Sequence, residues 1–99
     1  MRIEVVGKHM DITDGIRAHA QAKVGKLTRY YDHVQQITVR VQAGKKGEFE
    51  AEIVVDVEHH DDFVARETAT DLYAAIDLAT DKAARQLTDF KEKLKQGKR

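Results

Sequence analysis

The chain has 99 residues, 41% of them hydrophobic, and its 17 basic and 17 acidic side chains bring the formal net charge to zero. That length supports one compact domain, burying roughly 60–68% of the surface that its unfolded chain exposes, and leaves no room for a second. With neither Cys nor Ser, the inventory excludes a disulfide framework, a thiolate metal site and catalysis by a Cys or Ser nucleophile.

The opening MRIEVVGKHMD lacks the apolar core and cleavage site of a signal peptide, and no apolar run approaches bilayer length. A cytoplasmic protein with no membrane partner is therefore expected. Residues 2–6 are β-rich and end at Gly7, which predicts a short first strand. Thr13 then caps a helix, with Asp14 in its first turn complementing the dipole. Ile16, Ala20, Val24, Leu27 and Tyr31 repeat at helical spacing and predict a helix over 14–31, weakened slightly by Gly25.

Strict alternation follows twice, as Ile37, Val39, Val41 and then Phe49, Ala51, Ile53, Val55, Val57, joined by a hairpin loop over 43–47. His59-His60-Asp61-Asp62 makes a second turn, and Phe63-Val64-Ala65-Arg66 a short fourth strand of unassigned inward phase. From Thr70 onward, Leu72, Ile76, Ala79, Ala83, Leu87, Phe90 and Leu94 define a helix of about 24 residues, and so about 36 Å. The order β-α-β-β-β-α predicts an α+β two-layer sandwich, with both helices on one face of a four-stranded sheet. Residues 1–95 form the domain, and 96–99 read as a short basic tail.

Zero net charge conceals a segregation. Arg17 to Tyr31 holds four basic residues and no acidic one; Lys82 to Arg99 holds seven basic and two acidic; Glu48 to Glu67 holds eight acidic against Arg66 alone. The helices are thus expected to be basic and the open sheet face, with Glu50, Glu52, Asp56 and Glu58, acidic. At about 100° per residue His19, Lys23, Lys26 and Arg29 share one flank of the first helix, with Tyr30 beside them. Lys82, Arg85, Asp89 and Lys93 form one ridge of the second helix, and Lys91, Lys95 and Lys98 another. Composition alone leaves two readings open: solvated faces that complement the helix dipoles, or a phosphate-binding surface.

Gly7-Lys8-His9-Met10-Asp11-Ile12-Thr13-Asp14-Gly15-Ile16-Arg17 resembles the opening signature of the hibernation-promoting factor and ribosome-associated inhibitor family. Asp71-Leu72-Tyr73-Ala74-Ala75-Ile76-Asp77, then Asp81-Lys82, Ala84-Arg85-Gln86-Leu87 and Lys91-Glu92-Lys93-Leu94-Lys95, resembles that family's second helix. The resemblance spans nearly the whole chain and is closest to the short form of the family, which lacks a C-terminal dimerisation domain. It implies the same fold and a non-enzymatic role in translation regulation. The implied mechanism is binding to the small ribosomal subunit and its rRNA near the decoding centre, in competition with mRNA and tRNA, so that translation is inhibited in stationary phase or stress. A separate ribosome-dimerising factor is a further partner the resemblance admits. The matched basic positions, and hence the expected rRNA-binding residues, are Arg17, Lys23, Lys26, Arg29, Lys82, Arg85, Lys91, Lys93 and Lys95. Gly25, where the family usually has a bulkier residue, and Glu67, where small residues are usual, depart from the pattern without touching those positions.

Two other readings compete: a protein-interaction module using the acidic sheet face, and a generic double-stranded RNA-binding domain. Neither a cofactor nor a metal is expected. His59-His60-Asp61-Asp62 is the one dense set of potential ligands, but neighbouring His side chains on an extended chain diverge and Asp-Asp is ordinary turn chemistry.

Overall fold

The computed structural model describes residues 1–97. The elements are β1 (Arg2–Lys8), α1 (Asp14–Val24), a 3-10 segment (Gly25–Arg29), β2 (Val34–Ala43), β3 (Phe49–Val57), β4 (Phe63–Ala69) and α2 (Leu72–Gly97). The strands lie in the order β1-β2-β3-β4, with β1 parallel to β2 and the remaining pairs antiparallel. Both helices cover the same sheet face, giving the two-layer α+β arrangement expected from the sequence. No helix among the described residues is long and apolar enough to cross a membrane.

The alternation in β2 and β3 directs Ile37, Val39, Val41, Ala51, Ile53 and Val55 inward, where all are fully buried. They meet Ala20, Val24 and Leu27 from the first helical segment and Ala75, Ile76, Ala79, Ala83 and Leu87 from α2. Small residues at positions 75, 79 and 83 let the α2 backbone approach the sheet closely. Thr80, the one buried polar side chain among the described residues, donates its hydroxyl proton to the carbonyl of Ile76 at 2.8 Å.

Several boundaries differ from expectation for local reasons. The first helix stops being α-helical at Val24, because Gly25 opens a tighter 3-10 turn in which the Thr28 hydroxyl donates to the Gly25 carbonyl at 3.1 Å. Its start is as expected, the Thr13 hydroxyl accepting from the Ile16 amide at 3.1 Å. Strand β1 continues two residues further, to Lys8, and β4 reaches Ala69. The register places Phe63, Ala65, Glu67 and Ala69 on the helix-covered side, which settles the phase of β4. Helix α2 has 26 residues, about 39 Å, and begins at an Asp71 carboxylate that accepts from the Ala74 amide at 3.2 Å. Gln96 and Gly97 form its last turn rather than a tail; Lys98 and Arg99 lie outside the described residues.

The outer sheet face is not the acidic surface the sequence suggests. Cross-strand register mixes the acidic run with cations from its neighbours, so that Arg2, Lys8, Arg40 and Arg66 stand against Glu4, Glu50, Glu52 and Asp56 and the formal charges cancel. Glu58 lies beyond β3, in the turn, beside His33 and His59. At the centre Glu52, its side chain only 16% exposed, accepts from Arg40 at 3.2 Å and from two nitrogens of Arg66. The hydrogen bond from Arg66 is the main influence holding its carboxyl below the usual range, helped by Arg40 and opposed by desolvation, and the same contact raises Arg66 further.

Stability from this clamp is fully present above the ordinary carboxylate range and is lost as pH falls through the lowered value. A Glu52→Gln variant should therefore be less stable than the parent at pH 7, with the difference closing in acid, as read from urea midpoints across pH. A second pair of substitutions tests the backbone. A Cβ at Gly7 would lie 2.2 Å from the Met10 carbonyl oxygen, so Gly7→Ala should cost about 1–3 kcal/mol. At Gly25, with φ −58° and no neighbour nearer than Ile3 Cδ1 at 4.0 Å, the same change should stabilise by about 0.4–1 kcal/mol in equilibrium unfolding.

Candidate nucleic-acid interface

Because β1, β2 and β4 all run the same way, a helix that returns over the sheet from β1 and one that returns from β4 must be parallel to each other. Their contacts advance together along both chains. Gly15 faces Tyr73, whose hydroxyl would sit 3.0 Å from an added Cβ. His19 Nε2 lies 2.7 Å from Asp77 Oδ1, and Tyr31 packs edge-on against Phe90 with ring centres 5.3 Å apart. Both basic C-terminal segments, from Lys23 to Arg29 and from Arg85 to Lys95, are consequently brought to one end of the molecule. Cations there also oppose the partial negative charge at the helix C-termini.

The nine expected binding residues do not form one uniform patch. Lys23 lies in the interhelical groove, its Nζ 3.8 Å from the Asp77 carboxylate that His19 also contacts. Arg17 points the other way, over the free edge of β1, and donates to the Val5 carbonyl at 3.4 Å. Lys82 sits over the opposite sheet edge, donating to the Arg66 carbonyl at 3.4 Å with Glu67 at 3.8 Å. Glu67, a departure from the family pattern, thus stands against one of the matched basic positions, because the inward phase of β4 turns it beneath α2. Lys26, Arg29, Arg85, Lys91, Lys93 and Lys95 are exposed and make no ion pair or side-chain hydrogen bond among the described residues.

Those six are distributed around the converging helix ends. By helical phase Lys91 and Lys95 share the side of α2 that faces the first helical segment, Arg85 points straight outward, and Lys93 follows Lys82 on the β4 side. Such a surface suits phosphate groups: Arg pairs bidentately and Lys acts as a movable point charge, and neither reads base identity. Asp77 is the feature that sequence patterns missed. It is an acid set between the helices where it contacts His19 and Lys23, and with His19 and Asp77 lying 58 positions apart no local pattern links them.

Other concentrations of polar groups are already engaged. A concavity of about 480 Å³ on the outer sheet face is lined by Lys8, Arg40, Gln42, Glu50, Glu52 and Arg66, most of which bond to one another. The two adjacent histidines diverge, as expected: His60 stacks on Phe63, with rings 4.7 Å apart and 5° from parallel, while His59 turns to solvent beside Glu58. Among the described residues no group of three or more His, Asp or Glu is placed to hold a metal ion.

Residues 3–95 match the model of the family described as Sigma 54 modulation protein / S30EA ribosomal protein. The chain is 35% identical to the ribosome hibernation promoting factor of Escherichia coli K12 over 96 residues, covering 97% of this chain and 99% of that one. It is 33% identical to the ribosome hibernation promotion factor of Bacillus subtilis over 95 residues, covering 95% of this chain and 50% of the longer relative. The crystal structure of the Thermus thermophilus Protein Y N-terminal domain superposes with a TM-score of 0.80 at 35% identity, over 91% of this chain and 99% of that one. With a family match across nearly its whole length, this chain belongs to the Sigma 54 modulation protein / S30EA ribosomal protein family.

Proposed function

We propose that this protein is a ribosome hibernation factor: a non-enzymatic domain, residues 1–95, that binds the ribosome and holds it silent in stationary phase or stress. In this reading the helix face meets rRNA of the small subunit near the decoding centre, and the bulk of the domain stands where mRNA and tRNA would lie, so that inhibition is steric. The observation that carries it is the gathering of Lys26, Arg29, Lys91, Lys93 and Lys95, unpaired among the described residues, toward the C-terminal ends of the parallel helices, with Arg85, also unpaired, midway along α2. The outer sheet face, by contrast, balances its own charge. Relatives named as ribosome hibernation factors favour a ribosome over an arbitrary RNA duplex, and the charge balance of the outer sheet weakens the case for an acidic docking face.

The cations divide by task under this proposal. Lys26, Arg29, Lys91 and Lys95 bind phosphates, while Arg17 and Lys82 also cover sheet edges and Lys23 also holds the interhelical groove. Replacing the first four with Ala should weaken co-sedimentation with vacant ribosomes and relieve inhibition of in-vitro translation. Every phosphate left without its cation should flatten the slope of log affinity against log salt by about 0.7–0.9. Exposed changes of this kind should alter stability by no more than about 0.5 kcal/mol apiece. A Glu50→Gln, Asp56→Asn pair on the outer sheet should leave binding unchanged. Loss of binding in the sheet variant, with retention in the helix variant and normal melting of both, would move the ribosome-facing surface to the sheet.

A further inference from the structure

The apolar stripe of α2 outruns the body that it covers. Leu72, Ile76, Ala79, Ala83 and Leu87 are buried, Phe90 is half-buried, and Leu94, next on the same stripe, remains 41% exposed. Beneath the overhang lies an aromatic stack: Phe63 and His60 back Phe90, with ring centres 5.2 and 4.5 Å from it. Tyr31 meets Phe90 edge-on at 5.3 Å, and His33 meets Tyr31 at 5.2 Å. Two adjoining concavities open between Tyr31, His33 and Leu94. The larger, about 400 Å³, is bounded by Lys91, Lys95 and Asp32; the smaller, about 200 Å³, is lined also by Phe90, His59 and Glu58, the last 3.7 Å from His33.

A satellite core that merely closes the end of the sandwich accounts for Phe63, Phe90 and the inner edge of Tyr31. It does not account for a leucine left uncovered beside the half-buried Tyr31 and the exposed His33, nor for two ammonium groups one helical turn apart on the rim. Those features together match the needs of one unstacked nucleotide: a flat apolar slot for the base and paired cations for its phosphates. The fixed rings behind the slot are braced by their own packing, so little has to be ordered on binding.

We infer that the groove between Tyr31, His33 and Leu94 receives a single unpaired base of RNA, with Lys91 and Lys95 on its phosphates. This rests on the proposal that the helix ends face rRNA and adds to it a preference for single-stranded over paired RNA. Duplex RNA keeps its bases stacked inside and offers this slot nothing but backbone.

The test uses the full chain, a single-stranded hexaribonucleotide, an abasic sugar-phosphate strand of equal length, and a duplex of the hexamer sequence. Binding is followed by fluorescence anisotropy and by the NMR signals of the Tyr31 ring, the His33 ring and the Leu94 methyls. The hexamer should bind about tenfold tighter than the abasic strand or the duplex, with shifts centred on those three residues. Leu94→Glu, at an exposed position, should remove the preference, and its carboxylate beside Lys91 and Lys95 should weaken the abasic strand as well, though by less than the hexamer. Lys91→Ala with Lys95→Ala should weaken all three ligands together.

Equal affinity for hexamer and abasic strand, no measurable binding of either, or a base preference that survives Leu94→Glu would each overturn the inference. Groove signals that answer to ribosomal proteins stripped of RNA but not to the hexamer would assign the slot to a protein and overturn it equally. Co-sedimentation of the unaltered protein with ribosomes separates the slot from the function beneath it. If it binds ribosomes with a steep salt response but shows no base preference, only the slot fails; if it does not bind ribosomes, the proposed function fails whatever the oligonucleotides do.

Discussion

A four-stranded sheet that is apolar on one face only must have that face covered, and here two helices do so from the same side. Strands β1, β2 and β4 share a direction, so both covering helices return in the opposite one and end together. Burial of Ile37, Val39, Ile53 and Val55 against Val24, Leu27, Ile76 and Leu87 supplies the driving force. Everything at the helix ends follows from it. Strands of 7–10 residues span about 23–33 Å, whereas the 26 residues of α2 span about 39 Å, so the last turns of α2 project beyond the sheet and carry Lys91, Leu94 and Lys95 with them.

An open sheet also has two edges, and unpaired edge strands invite association with other chains. Here each edge is met by a long polar side chain from a helix. Arg17 reaches the Val5 carbonyl on β1, while Lys82 and Gln86 reach the Arg66 and Val64 carbonyls on β4. Two residues that charge alone marks as RNA contacts are thereby occupied in guarding the fold. Their positive charge still adds to the field around the helices, but their geometry is set by the sheet.

What the sequence disclosed and what it concealed divide along the range of the interactions. The α2 stripe, the alternation in β2 and β3 and the Thr13 cap depend on neighbours within a few positions, and each is legible directly. The end of α1 is less so: the stripe through Leu27 and Tyr31 continues across Gly25, and only the Thr28 hydroxyl turned back onto the Gly25 carbonyl marks the change to a 3-10 turn. Charge is the most misleading local signal. The run from Glu48 to Glu67 is strongly acidic in sequence, yet register sets Arg40 and Arg66 on either side of Glu52 and brings Arg2 and Lys8 onto the same face. For the proposed binding surface, counting cations pointed to the helices. It could not separate Lys91 and Lys95, which face the first helical segment, from Lys82 on the β4 edge.

The segregation of charge is therefore oriented along the helices more than between the layers. Asp14 and Asp71 sit at the two N-termini, where they complement the positive ends of the dipoles, with Asp77 and Asp81 in the early turns of α2. Lys26, Arg29, Lys91 and Lys95 sit at the other ends, against the negative ones. The molecule measures 49 Å along its longest axis, about six Debye lengths at physiological ionic strength, where each is about 8 Å. A polyanion at the basic end is screened from the acidic end, so zero net charge does not forbid binding; it removes only the long-range attraction that a uniformly basic protein would have for any nucleic acid. The consequence is selectivity by orientation. Under the proposed function an RNA surface would engage this protein at the helix ends, whereas a partner approaching the sheet meets opposite charges in balance.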